Sequence, residues 1–146
     1  MVDYLGRMDM TILTSISEGQ PLVVLESFAA HKPVITTDVG NCRGLIYGED
    51  GDDLGQAGIL THIMNLDEIA NAIVEMAASS QLRRKMGEVG YQRVKAKYQI
   101  EHMRQQYAKI YRDFAEKLQV PWSEEPFQIT DSRKQVKKHG RDRRKA

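Results

Sequence analysis

Cysteine is nearly absent: Cys42 is the only one in 146 residues, so an internal disulfide is excluded. A lone thiol gives no support for an oxidising, secreted setting. No segment approaches the ~20 apolar residues of a membrane span, and the N-terminus lacks the apolar core of a signal peptide. The cytoplasm is therefore the expected compartment. Metal-ligand spacing is missing as well. Cys42, His31, His62, His102 and His139 are scattered, and none is assigned a ligand or catalytic role. The acidic stretch EDGDDLG (residues 49–55) lacks the spacing of a Ca²⁺ loop, which ends in a distant Glu, and reads as a solvated loop.

Overall charge is small, +1, but it is unevenly spread. Residues 1–132 hold 13 Lys+Arg against 19 Asp+Glu, a balance of −6. Residues 133–146 (RKQVKKHGRDRRKA) hold 8 basic side chains against Asp142, a balance of +7. Such a block repels itself and is expected to stay extended. It also suits nucleic acid or an anionic lipid surface. It has no aromatic residue to stack on bases, so a solvated tail is the favoured reading and nucleic acid an unfavoured partner. Residues 120–146, with Pro121, Pro126 and few apolar positions, form an extension outside the fold.

What is present alternates between strand and helix signals. Residues 10–14 (MTILT) are a short apolar, β-branched run, as in a buried parallel strand. Gly19 and Pro21 then break the chain, and Pro suits a helix start because its missing N–H would be unpaired there. The helix should pack through Leu22, Val23, Leu25, Phe28 and Ala29. Further strands are expected over 33–37 and 57–63, with a helical turn over 43–46 between them. Asn65 caps the next helix, with Glu68 in capping-box position and a stripe of Ile69, Ile73, Met76, Ala70 and Ala77. Ser79 or Ser80 caps another, with Leu82, Met86 and Val89 inward. The clearest period is the last: Ile100, Met103, Tyr107, Ile110, Phe114 and Leu118, expected to be core.

The densest chemistry lies at TSISEGQPLVVLE (residues 14–26). Glu18 falls in the turn and Glu26 in the second turn of the helix. The N–H groups of Leu22 and Val23 sit at the positive end of the helix dipole, an anion site in the making. Two carboxylates nearby would repel a bare phosphate but accept bonds from hydroxyls. A ligand carrying both, such as a nucleotide sugar, reconciles the two. Taken alone, Glu18 reads as an exposed loop acid and Glu26 as a solvated helix residue; the ordered blocks around them favour the site. Residues 38–41 (DVGN) read first as a strand-ending turn, Cys42 as a small buried residue, and Arg43 equally as an anion contact or a structural one.

Glu-x7-Glu after an apolar strand, followed by KPVITTDVG, resembles the donor-binding region of retaining glycosyltransferases of family 4, which have the GT-B fold. SISEGQPLVVLE, with GNCRGLIYG and LGQAG downstream, is most similar to the Pel exopolysaccharide (PelF-type) branch. The resemblance covers residues 4–111. It implies that Glu18, the residue with a catalytic part, bonds a hydroxyl of the donor sugar, and that Glu26 holds the ribose. It places Gly19, Gln20, Pro21, Leu22 and Val23 in the donor site, with backbone amides meeting sugar and pyrophosphate. Pro21 stands where many relatives have Gly and removes one amide. Gly44 stands where many have Glu.

The expected fold is therefore α/β: a partial Rossmann-like parallel sheet from the C-terminal half of a GT-B enzyme, then a C-terminal helical cluster. Residues 1–119 form the partial donor domain. Three strands are fewer than a doubly wound half normally holds. The basic pair that neutralises the pyrophosphate and the acceptor half are not in the sequence, so the chain looks like the last third of a longer enzyme. The isolated 146 residues are expected to lack turnover. The implied activity is retaining hexosyl transfer from a nucleotide sugar, a UDP-sugar, to a polysaccharide or other sugar acceptor, with no metal and no other cofactor. Leaving-group charge is then stabilised by fixed donors, and no second close carboxylate supports the double displacement of retaining glycosidases. The rival reading is a non-catalytic fragment or interaction component of a polysaccharide synthase complex. A nucleic-acid module rests on the tail alone.

Overall fold

The computed structural model describes residues 2–122, so the basic tail lies outside the described residues. The elements run α1 (Val2–Gly6), β1 (Thr11–Leu13), α2 (Leu22–Ala29), β2 (Val34–Thr37), α3 (Cys42–Tyr47), β3 (Gly58–Thr61), α4 (Leu66–Ala78), α5 (Ser80–Lys97) and α6 (Ile100–Leu118). The three strands are parallel in the order β1-β2-β3. Thr11 faces Val34, and Val34 faces Gly58. Parallel strands need a crossover, and α2 and α3 supply them.

β2 lies in the middle and is buried at all four positions. Its side chains alternate between two cores, as the strand period requires. Val34 joins Val24, Phe28, Leu45, Ile46 and Ala57, drawn largely from α2 and α3. Ile35 joins Ala72, Met76 and Met86 from α4 and α5. A sheet covered on both faces explains why β2 reads as a continuous apolar and β-branched run. α5 also closes on α2: a Cβ on Gly90 would lie 2.5 Å from Cδ1 of Phe28, so this contact admits only glycine without a shift.

The fold is the expected partial Rossmann-like sheet with a helical cluster after it, but several packing expectations are corrected. α2 buries Val24, Ser27 and Phe28, whereas Leu22 and Val23 are 70 % and 40 % exposed and Ala29 is also exposed. The 3.6-residue period fixes which residues share a face, and here the buried face is one position out of register with the apolar run. On α4, Ala72 and Met76 are buried while Ala70 and Ala77 are exposed. Asn65 caps α4 as expected, its Oδ1 accepting from the Glu68 N–H at 3.1 Å. The Glu68 carboxylate instead accepts from the His62 N–H at 2.7 Å. Ser79 caps α5, accepting from the Leu82 N–H at 3.1 Å.

One compact unit ends at Arg104 and a second begins at Gln105. In α6 the stripe predicted to be core is exposed: Tyr107 55 %, Ile110 51 %, Phe114 58 % and Leu118 67 %. Periodicity shows that a helix has an apolar face, not that the face is covered. In the second unit Tyr111 stacks between Tyr107 and Trp122, with ring centroids 6.5 Å and 5.7 Å away. No helix among the described residues is long and apolar enough to cross a membrane.

Candidate functional site

The turn between β1 and α2 is built from below by β2 and the start of α3. The buried Thr37 hydroxyl, at the end of β2, donates to the Ser15 carbonyl. The Asn41 N–H donates to the Gly19 carbonyl at 2.8 Å. Between them Gly40 takes φ +51° and lies directly under the turn; a Cβ there would come 2.5 Å from the Gly19 oxygen and 2.7 Å from the Glu18 carbonyl carbon. The left-handed backbone and the close approach both call for glycine. The half-buried Glu18 carboxylate is held in turn: Ser15 Oγ donates to its Oε1 at 2.7 Å.

α2 starts directly after this turn. Pro21 is its buried N-cap, with φ −70°, and the Val24 N–H returns to the Pro21 carbonyl at 3.2 Å. The amides of Leu22 and Val23 precede that bond, among the N–H groups a helix start leaves without an intrahelical acceptor. The helix is tied to the sheet by Ser27, which accepts from Thr11 Oγ1 at 2.9 Å and donates to the Val23 carbonyl at 2.7 Å. Gly19 and Gln20 are exposed in the turn, and Glu26 is exposed in the second turn of α2. The fold thus gathers Glu18, Gly19, Gln20, Pro21, Leu22 and Val23 at the carboxyl end of β1, where open α/β sheets bind ligands, and leaves Glu26 further along the helix.

Arg43 is engaged locally: it donates to Asp38 and lies 5.9 Å from the Tyr47 ring, and the Asp38 contact raises its already high pKa. Cys42 is buried against the Thr36 hydroxyl. Among the described residues no three or more His, Cys, Asp or Glu side chains gather as a metal-ligand group.

The acidic stretch at 49–55 is not wholly solvated, contrary to expectation. The Asp52 side chain is 1 % exposed and pairs with Arg93, also 1 % exposed, at 2.8 Å. Arg93 further donates to the carbonyls of Leu45 at 2.9 Å, Ile46 at 3.1 Å and Gly55 at 2.5 Å. It therefore caps the end of α3 and fixes the loop behind it. The Arg93 hydrogen bonds, above all, hold the Asp52 carboxyl down at about 2, against the opposing effect of burial. Arg93 escaped the sequence reading although a signal was there: it falls seven residues after Met86, on the same inward face of α5.

Comparison with known proteins settles the lineage. Residues 1–93 match the family model for glycosyl transferases group 1. The chain belongs to this family. It is 28 % identical over 113 residues to an N-acetyl-alpha-D-glucosaminyl L-malate synthase of Bacillus anthracis, covering 77 % of the chain and 28 % of that protein. It is 30 % identical over 105 residues to an alpha-D-kanosaminyltransferase of Streptomyces kanamyceticus, covering 72 % and 26 %. In structure it is similar to sucrose-phosphate synthase of Thermosynechococcus elongatus, with TM-score 0.68 and 27 % identity over 76 % of the chain and 26 % of that protein. The chain thus spans about a quarter of the length of these relatives, with the sheet and helical cluster of a GT-B fold.

Proposed function

We propose that the chain supplies the donor site of a retaining transferase that moves a hexosyl group from a nucleotide sugar, a UDP-sugar, to a polysaccharide or other sugar acceptor in the cytoplasm. The observation that carries it is the pinned carboxylate of Glu18 immediately before the open amides of α2. A helix N-terminus favours the pyrophosphate, while the fixed Glu18 carboxylate is suited to accept from a sugar hydroxyl. Glu26, one helical turn beyond the opening, is suited to ribose. In this reading Gly19, Gln20, Leu22 and Val23 line the donor through backbone N–H groups, and Pro21 sets the helix start without offering one. The relatives' names refer to different sugars, an N-acetylglucosaminyl and a kanosaminyl group, so family membership alone does not fix which sugar is carried. No metal or other cofactor is part of this reading, in which the helix dipole and amides stabilise the leaving diphosphate. The motif blocks support placement in the Pel exopolysaccharide branch.

The second reading, a non-catalytic interaction component of a synthase complex, is favoured by the exposed apolar face of α6. Steady-state kinetics with varied donor, on the protein at the length its gene encodes, separate the two. Glu18→Ala should lower kcat on the order of 10²-fold, because the bond is made nearest the breaking sugar–phosphate linkage. Glu26→Ala should act mainly on donor KM, by about 1.5–3 kcal/mol for hydrogen bonds to a charged acceptor. Wild-type kcat/KM in both variants would reject the donor-site reading.

A further inference from the structure

The acidic turn is not a free loop that happens to carry a carboxylate. Three contacts from the β2–α3 corner seat its backbone: Thr37 Oγ1 on the Ser15 carbonyl, the Asn41 N–H on the Gly19 carbonyl, and Gly40 beneath the Glu18 and Gly19 carbonyls. Thr37 is 1 % exposed and belongs to the central strand, so the anchor is among the best-fixed points of the sheet. Ser15 is the relay. Its carbonyl is held by Thr37, and its hydroxyl donates to Glu18 Oε1 at 2.7 Å.

We infer that Ser15 is a positioning residue that fixes the Glu18 carboxylate, and that Gly40 is the seat that lets the Ser15–Gly19 turn reach that position. The inference rests on the donor-site reading above. A glutamate side chain in a turn has several rotamers to choose among, and ordering it on binding weakens every contact it makes. A hydroxyl bond to one carboxylate oxygen settles the rotamer before the ligand arrives and leaves Oε2 to accept. Serine is suited to this because its hydroxyl donates while its short side chain keeps the carboxylate close to the main chain. The bond is charge-assisted and therefore among the stronger kinds.

The test has a kinetic arm and a structural arm. In the protein at the length its gene encodes, Ser15→Ala should lower kcat about 10-fold with little change in donor KM, and Ser15→Thr, which keeps the hydroxyl, should recover most of the loss. In a Glu18→Ala background, Ser15→Ala should cost nothing further, since its effect passes through Glu18. An equal loss in both backgrounds, or no loss in the single variant while Glu18→Ala is impaired, overturns the positioning role and leaves the donor site standing. A harmless Glu18→Ala overturns the donor site itself. In the structural arm, amide exchange of the 146-residue chain is followed by NMR. Gly40→Ala should speed exchange of the Asn41 amide at least about 10-fold relative to the β2 amides, by opening its bond to Gly19. Thr37→Val, nearly isosteric, should loosen the turn in the same sense should Gly40→Ala not fold. Unchanged Asn41 exchange in both variants would overturn the seat.

Discussion

Arg93→Met isolates the buried ion pair at the centre of the first unit. In the wild type the guanidinium satisfies Asp52 and three carbonyls, those of Leu45, Ile46 and Gly55. Methionine fills similar volume with no donor. The change therefore leaves the Asp52 carboxylate, 1 % exposed, with Lys97 at 3.7 Å as its remaining cation. It also strands the carbonyl end of α3. Removing one partner of a buried pair is destabilising by about 3–5 kcal/mol, because the other charge stays buried. For a unit of this size that corresponds to a fall in Tm of roughly 15–25 °C. Thermal melts followed by far-UV circular dichroism at pH 7 measure it. The control is Arg43→Ala, whose ion pair with Asp38 is solvent-exposed and should leave the melting curve in place. Should Arg93→Met melt with the wild type, Arg93 would not be the strut that these contacts describe.

The same pair sets an acid limit. Asp52 sits at about 2 in the fold against an ordinary 3.8, a depressed value, so its contribution is fully present above the unfolded value and is lost as pH falls from there through about 2. That step should amount to on the order of 2–3 kcal/mol; urea melts from pH 2 to pH 6 should show it, and an identical pH profile in Asp52→Asn would refute the assignment. The caps carry smaller effects: Asn65→Ala and Ser79→Ala should each lose about 1 kcal/mol in denaturant melts, since each side chain accepts one helix N–H, and no loss in either would mean water replaces the cap.

The parts legible in the sequence were those governed by local chemistry. Pro21 marked the start of α2, Asn65 and Ser79 the starts of α4 and α5, and the β-branched run at 34–37 the central strand, because each signal acts within a few residues of itself. What failed depended on partners distant in the chain. Leu22 and Val23 read as core, yet α2 turns Val24, Ser27 and Phe28 inward, where Ser27 meets Thr11, 16 residues away. Asp52 looked solvated within EDGDDLG because its partner lies 41 residues on. The α6 stripe announced an apolar face truthfully and said nothing of what covers it. In the candidate site the acids and the helix start were readable. The Gly40 seat was not, since it is a backbone approach between two turns that no side-chain pattern records.

The placement of the single tryptophan has a practical corollary for optical work. Trp122 stacks on Tyr111 within the unit that begins at Gln105, while the Arg93–Asp52 pair lies in the unit that ends at Arg104. Tryptophan emission therefore reports on the surroundings of Trp122 beside Tyr111, whereas circular dichroism sums over every helix. If the two probes trace one transition, a single free energy describes the chain; if they diverge, the chain does not unfold in one step and no single free energy describes it.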